Sequence, residues 1–272
     1  MSVKRLSFGQ EDCGYLSSSA HSCRLHLHGN RQRHLSQHPE SGERLSEAVF
    51  EFIHSLASAL DARDPYTAGH SRRVSEFACA IARSMRLTAD EIEEIRVGAL
   101  LHDIGKIGVS DHILQKPGKL TPEEKRLIQE HPSIGRRILE SVKGFHRYLP
   151  IVELHHENWD GTGYPHGLRR EDTPLGARIV KIADAYDAMT SDRPYRRGMC
   201  HDEALSLLVR FAGTQMDPEI VDVFVGLGQR QPEFALLLNP VESLARLAQA
   251  VGSGVKPAQL VEKSVLAGKR VA

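Results

Sequence analysis

Apolar residues recur along this chain at helical spacing, and no stretch alternates as a strand would. Val49, Phe50, Ile53, Leu56, Ala57 and Leu60 predict a first helix from about Leu45. Asp64-Pro65 reads as an N-cap followed by proline at the first helical position, opening a second helix to about Met85. Val74, Phe77, Ala78 and Ile81 are its core stripe. Thr88 caps a third helix, whose Ile92, Ile95 and Ala99 form a buried stripe and whose end is His102-Asp103. Gly108, Pro117 and Gly118 mark a loop with a short helical turn near Asp111. Thr121-Pro122-Glu123-Glu124 combines a cap, an N1 proline and an acidic first turn. His131-Pro132 interrupts that helix, and another runs from Ser133 to about Ser141. Pro150 begins the helix that ends in His155-His156, and the glycines and prolines of 160–174 make a loop. Residues 174–189 form a long helix, apolar on most sides and therefore central, and 202–228 supply two more. The fold class expected is all-α.

The two ends differ in kind. Residues 1–44 are rich in Ser, His, Arg and Gln and hold no period, so disorder is expected there. His21, His26, His28, His34 and His38, with Cys13 and Cys23, match no closed zinc spacing. Residues 45–228 form the expected helical domain. Residues 229–272 form a C-terminal helical extension of two pieces, 241–251 and 257–266, split by Gly252-Ser253-Gly254. Its Leu244, Leu247 and Val251 offer a stripe for docking on the domain or on a partner.

At 272 residues the chain can bury a sizeable core, though length alone does not choose between one domain and two. Thirty-five basic residues balance 35 acidic ones, leaving no basic excess for DNA or a membrane surface. The four cysteines, Cys13, Cys23, Cys79 and Cys200, show no framework spacing, and Cys79 falls in a helical apolar stripe. No apolar run approaches the ~20 residues that span a bilayer, and the N-terminus lacks a signal-peptide core. A cytoplasmic protein with reduced thiols is expected.

The chemistry gathers on His102-Asp103. A carboxylate at the interior end of an apolar helix is costly unless paired, hydrogen-bonded or bound to metal. His70, His155-His156 and Asp184 supply matching groups in three other stretches. Imidazole with carboxylate suits Mn, Fe and Zn better than Mg or Ca.

The order His70, His102-Asp103, Asp184 resembles the HD-type metal-dependent phosphohydrolases. The stretch His155-His156-Glu157-Asn158-Trp159-Asp160-Gly161-Thr162-Gly163-Tyr164-Pro165 narrows the resemblance to the HD-GYP domains, phosphodiesterases of cyclic di-GMP, over about Leu45 to Val225. The resemblance implies an HD-superfamily helical bundle with a metal site in its core. Two divalent ions, Fe or Mn, would be bridged by Asp103. His70, His102 and Asp184 would complete one shell, and His131, His155 and His156 the other. Asp103 and Lys106 would be catalytic, with Lys106 reaching a non-bridging phosphate oxygen. Arg193 and Arg196 would contact the second phosphate or a guanine edge, and Asp64, Tyr164 and Asp187 complete the substrate-contacting set.

The loop of Gly163-Tyr164-Pro165 would shape the cleft and meet proteins such as diguanylate cyclases; a homodimer is also open. In three-metal members a glutamate one turn before the first histidine supplies a ligand. Tyr66 stands there, and a neutral phenol is a poor substitute, so two metals and pGpG as main product are expected, with GMP a further step. The alternatives are a non-catalytic cyclic di-GMP receptor and an HD phosphohydrolase acting on another nucleotide.

Overall fold

The computed structural model describes residues 47–63, 69–192 and 197–230. The N-terminal segment, the C-terminal extension beyond Arg230, and Asp64, Tyr66, Arg193 and Arg196 lie outside the described residues. Ten α-helices stand among those described: α1 Glu47–Arg63, α2 His70–Ser84, α3 Ala89–Leu101, α4 Asp111–Leu114, α5 Pro122–Gln129, α6 His131–Leu139, α7 Leu149–Leu154, α8 Leu175–Thr190, α9 His201–Phe211 and α10 Pro218–Arg230. Short 3-10 segments at Ile104–Gly108, Lys143–Tyr148 and Arg170–Asp172 join them. Among the described residues there is no strand, and the all-α expectation holds. No described helix is long and apolar enough to cross a membrane.

The helix starts follow the chemistry of their caps. Thr88 and Thr121 each accept from the backbone three residues on, while Glu91 and Glu124 return the bond to the cap, closing two capping boxes. The second helix differs from expectation. It opens at His70, because Gly69 takes a left-handed φ of 68°, which does not continue a right-handed helix back to Pro65. The helix expected from Ser133 opens earlier, at His131, with Pro132 tolerated in its first turn where its missing N–H costs nothing.

Two apolar cores flank the centre. The larger packs Val74, Phe77 and Ile81 of α2 against Ile179, Ile182 and Tyr186 of α8 and Phe224 of α10. The smaller joins Ile53 of α1, Val97 and Leu100 of α3, and Val152 of α7. The far half of α3 is buried all round, wider than the expected stripe, because it runs between both cores. Its C-terminus therefore delivers His102 and Asp103 deep inside, 1% and 5% exposed.

Candidate metal centre

Seven side chains converge where α3, α5 and α7 end, α2 and α6 begin and α8 passes. Asp103, His131, His155 and His156 form one group, and His70, His102 and Asp184 another; within each group the ligating atoms lie within 4.8 Å of one another. Asp103 sits between them. Its Oδ1 is 3.2 Å from His131 Nε2, and its Oδ2 is 3.4 Å from His102 Nε2 and 3.8 Å from His70 Nε2. Asp184 Oδ1 lies 3.3 Å from His70 Nε2. The structure thus brings together the seven residues singled out from the sequence.

Three of the histidines are held alike. His102 Nδ1 donates to Ala99 O at 2.7 Å, His131 Nδ1 to Ile128 O at 2.7 Å, and His155 Nδ1 to Val152 O at 2.9 Å. Each acceptor is three residues back, among the carbonyls that a last helical turn leaves unpaired. A carbonyl accepts only, so the proton sits on Nδ1 and Nε2 presents its lone pair inward. His70 is oriented by a side chain instead: its Nδ1 is 2.7 Å from Asp187 Oδ2.

Asp187 was expected among the substrate-contacting residues. It is 1% exposed and also accepts from Arg73 Nε at 2.5 Å and Arg73 Nη2 at 3.0 Å, so it buttresses a ligand from behind. Arg73 was not anticipated. Its only trace in the sequence is its place one turn after His70, as Asp187 is one turn after Asp184.

The lone pairs test whether metals fit. His131 Nε2 and His155 Nε2 face each other at 3.4 Å, with each ring's Nδ1 turned to a backbone carbonyl. His102 Nε2 is buried without a hydrogen-bond partner. Buried acceptors left so are costly, and cations between them would satisfy all three. Titration points the same way. Burial first, then neighbouring imidazoles, holds His155 far below its ordinary range and His156 down at about 3, in the neutral form that binds metal. Burial alone would raise Asp103 and Asp184. Lys106, His102 and His131 around the first, and His70 around the second, keep both ionised well below the ordinary carboxylate range. His70, pulled down by burial, is lifted to about 10 by Asp184 and Asp187, so an arriving cation must displace its proton.

Lys106 follows in the 3-10 segment rather than on a continued helix, and its Nζ still reaches Asp103 Oδ2 at 2.6 Å. Gly105 lies so close to α6 that a Cβ there would stand 1.8 Å from His131 O and 2.5 Å from Gly135 N. Tyr164 stacks on His156, with ring centroids 4.7 Å apart and planes at 20°. Its loop is anchored by Glu157, 2% exposed, which accepts from the backbone N–H groups of His166, Gly167 and Leu168 at 2.7–3.1 Å. Glu153 adds Arg136 Nη1 at 2.6 Å and His166 Nε2 at 3.1 Å. Neither glutamate was singled out from the sequence, although Glu157 stands inside the His-His-Glu run.

Fold and centre together define a protein of the HD class: a helical bundle whose helix ends bring a histidine–aspartate cluster into its interior. Residues 54–220 match the HD domain family, and the chain belongs to it. The intact Gly163-Tyr164-Pro165 loop places it with the HD-GYP members.

The chain is 41% identical over 176 residues to the 3'3'-cGAMP-specific phosphodiesterase 3 of Vibrio cholerae, across 64% of this chain and 38% of that protein. It is 40% identical over 186 residues to a cyclic di-GMP phosphodiesterase of Thermotoga maritima, across 66% and 49%. It thus spans less than half the length of these relatives. A crystal structure of a cyclic GMP-AMP specific phosphodiesterase of V. cholerae shares the fold, with a TM-score of 0.56 at 21% identity over 77% of this chain and 54% of that one.

Proposed function

We propose that this chain is a metal-dependent phosphodiesterase that hydrolyses cyclic di-GMP to pGpG and so lowers the level of that second messenger. The observation that carries the reading is the convergence of the His131 and His155 Nε2 atoms, 3.4 Å apart, beside the ionised Asp103. His70, His102 and Asp184 would hold one ion, His131, His155 and His156 a second, and Asp103 would serve both. Imidazole-rich, thiolate-free donors favour Fe or Mn. When bound, the two ions supply Lewis acidity at the phosphodiester and a water acidic enough to act as nucleophile at neutral pH.

The protein's own groups do the rest. Lys106 Nζ, 18% exposed at the edge of the cluster, would meet a non-bridging phosphate oxygen and offset the charge that grows there in the transition state. Asp187 and the three backbone carbonyls hold the imidazoles in one tautomer throughout. Tyr164, committed inward against His156, shapes the cleft wall. A partner such as a diguanylate cyclase would then meet the exposed Thr162, His166 and Gly167 of that loop.

A second reading, hydrolysis of 3'3'-cGAMP, is favoured by the name of the 41% identical relative. One experiment separates these. The protein is loaded with Fe(II) or Mn(II), its metal content is measured by mass spectrometry, and it is assayed on cyclic di-GMP and 3'3'-cGAMP with chromatography of products. Preferential cleavage of cyclic di-GMP with pGpG accumulating, lost in Asp103→Ala, is expected. Cleavage of 3'3'-cGAMP alone would support the second reading, and tight binding with no cleavage of either would make the chain a receptor.

A further inference from the structure

Arg63, the last residue of α1, reaches across to the 3-10 segment that carries Lys106. Its Nη1 donates to the Lys106 carbonyl at 3.0 Å, its Nη2 to the Val109 carbonyl at 2.8 Å, and its Nε to Asp111 Oδ1 at 2.8 Å. These partners lie 43 to 48 residues away in the chain. The Lys106 carbonyl also accepts from Val109 N at 3.0 Å, and the planar guanidinium spans both carbonyls and the Asp111 carboxylate with a fixed fork of donors. The same segment is pressed against α6 at Gly105. It is therefore gripped from both sides, with Lys106 between.

The last turn of α1 holds the neighbouring ligand segment as well. Asp61, 6% exposed, accepts from Ser71 Oγ at 2.8 Å and Ser71 N at 3.3 Å, beside His70 at the start of α2. One turn of one helix thus ties down the segments that bear His70 and Asp103.

We propose that Arg63 is a positioning residue for the reaction: by holding the Lys106 carbonyl it fixes where Lys106 Nζ stands, without touching substrate. This rests on the reading of Lys106 as the phosphate contact. The test compares the full chain with Arg63→Ala, Arg63→Lys, Lys106→Ala and the Arg63→Ala/Lys106→Ala double variant on cyclic di-GMP. Metal content and thermal unfolding are measured alongside.

Arg63→Ala is expected to lower kcat about tenfold with KM little changed, since a displaced charge is lost mainly in the transition state. Metal content should stay at the wild-type value. Arg63→Lys should recover little, added guanidinium ion should partly restore Arg63→Ala but not Lys106→Ala, and Arg63→Ala should cost nothing further once Lys106 is gone. Should Arg63→Ala not fold, Arg63→Lys carries the same comparison. An equal loss in both backgrounds, or a fall in metal content, would overturn the proposal. Wild-type turnover by Arg63→Ala beside an impaired Lys106→Ala would overturn it while leaving the Lys106 reading intact. Wild-type turnover by Lys106→Ala would overturn that reading and the proposal with it.

Discussion

Gly105→Ala adds one methyl group and should dismantle the metal centre. The added Cβ would stand 1.8 Å from His131 O, 2.5 Å from Gly135 N and 2.8 Å from His131 C. All three are backbone atoms of α6, so no side chain can rotate to make room. Ordinary contact begins near 3.4 Å, so the 3-10 segment and α6 must part by about 1.6 Å, the difference between the two distances. That movement runs directly between Asp103 and His131, which now approach to 3.2 Å. Metal–ligand distances tolerate only about ±0.2 Å, several times less than the forced separation. Overpacking of this kind costs about 1–3 kcal/mol of stability, which a domain this size can survive.

The expected result is a folded protein with a lowered Tm, at least one metal site emptied, and turnover reduced by about 10²-fold or more. Gly144→Ala is the control, because a Cβ there would meet nothing within 4 Å. Metal content by mass spectrometry, Tm by circular dichroism and turnover on cyclic di-GMP are measured together. Gly105→Ala with full metal and turnover within twofold of wild type would refute the claim that this close approach sets the ligand geometry.

Three further outcomes follow from particular groups. Asp187→Asn should weaken metal binding about 10–100-fold by loosening His70, read by metal titration; unchanged affinity would remove Asp187 from that role. Glu94 is raised to about 7 by burial, with Arg147 opposing, so its folded pKa exceeds the ordinary 4.5. The unfolded state ionises first as pH rises through that window, and the carboxyl costs nothing below it and up to about 3 kcal/mol above it. Glu94→Gln should therefore raise Tm at pH 8 by several degrees and at pH 4.5 hardly at all, and an equal shift at both would refute this. Tyr66→Glu should move metal stoichiometry from two toward three, and three tightly held metals in the unaltered chain would overturn the two-metal expectation.

The candidate ligands were legible because their chemistry is local. Histidines placed at the ends of apolar helical runs show in residue order alone, and so do the caps Thr88 and Thr121, whose partners lie three residues away. Interactions that close over long loops were not legible. Asp187 meets Arg73 across 114 residues and His70 across 117, and nothing along the chain says that its carboxylate turns toward them rather than toward a substrate. Arg63 closes on carbonyls, which carry no sequence signature. Gly69 was visible as a glycine, but its left-handed φ, which starts α2 at His70, depends on the path of the chain around it.

The repeated three-residue spacing suits this bundle to holding cations in its interior. α3, α5 and α7 each end at the cluster, and each contributes a histidine whose Nδ1 donates to a carbonyl of the last turn. The bond answers two needs at once: an unpaired helical carbonyl gains a donor, and the ring is locked with its lone pair inward. Asp103 and Asp184 add full negative charge. A site built so is unfavourable when empty and well matched to divalent ions. Replacing one of these histidines by glutamine would keep a donor, yet its amide nitrogen would be used on the carbonyl and its oxygen would not reach the Nε2 position. The helix end would keep its donor while the Nε2 atom is lost, so loss of affinity, rather than loss of fold, is what such a change should produce.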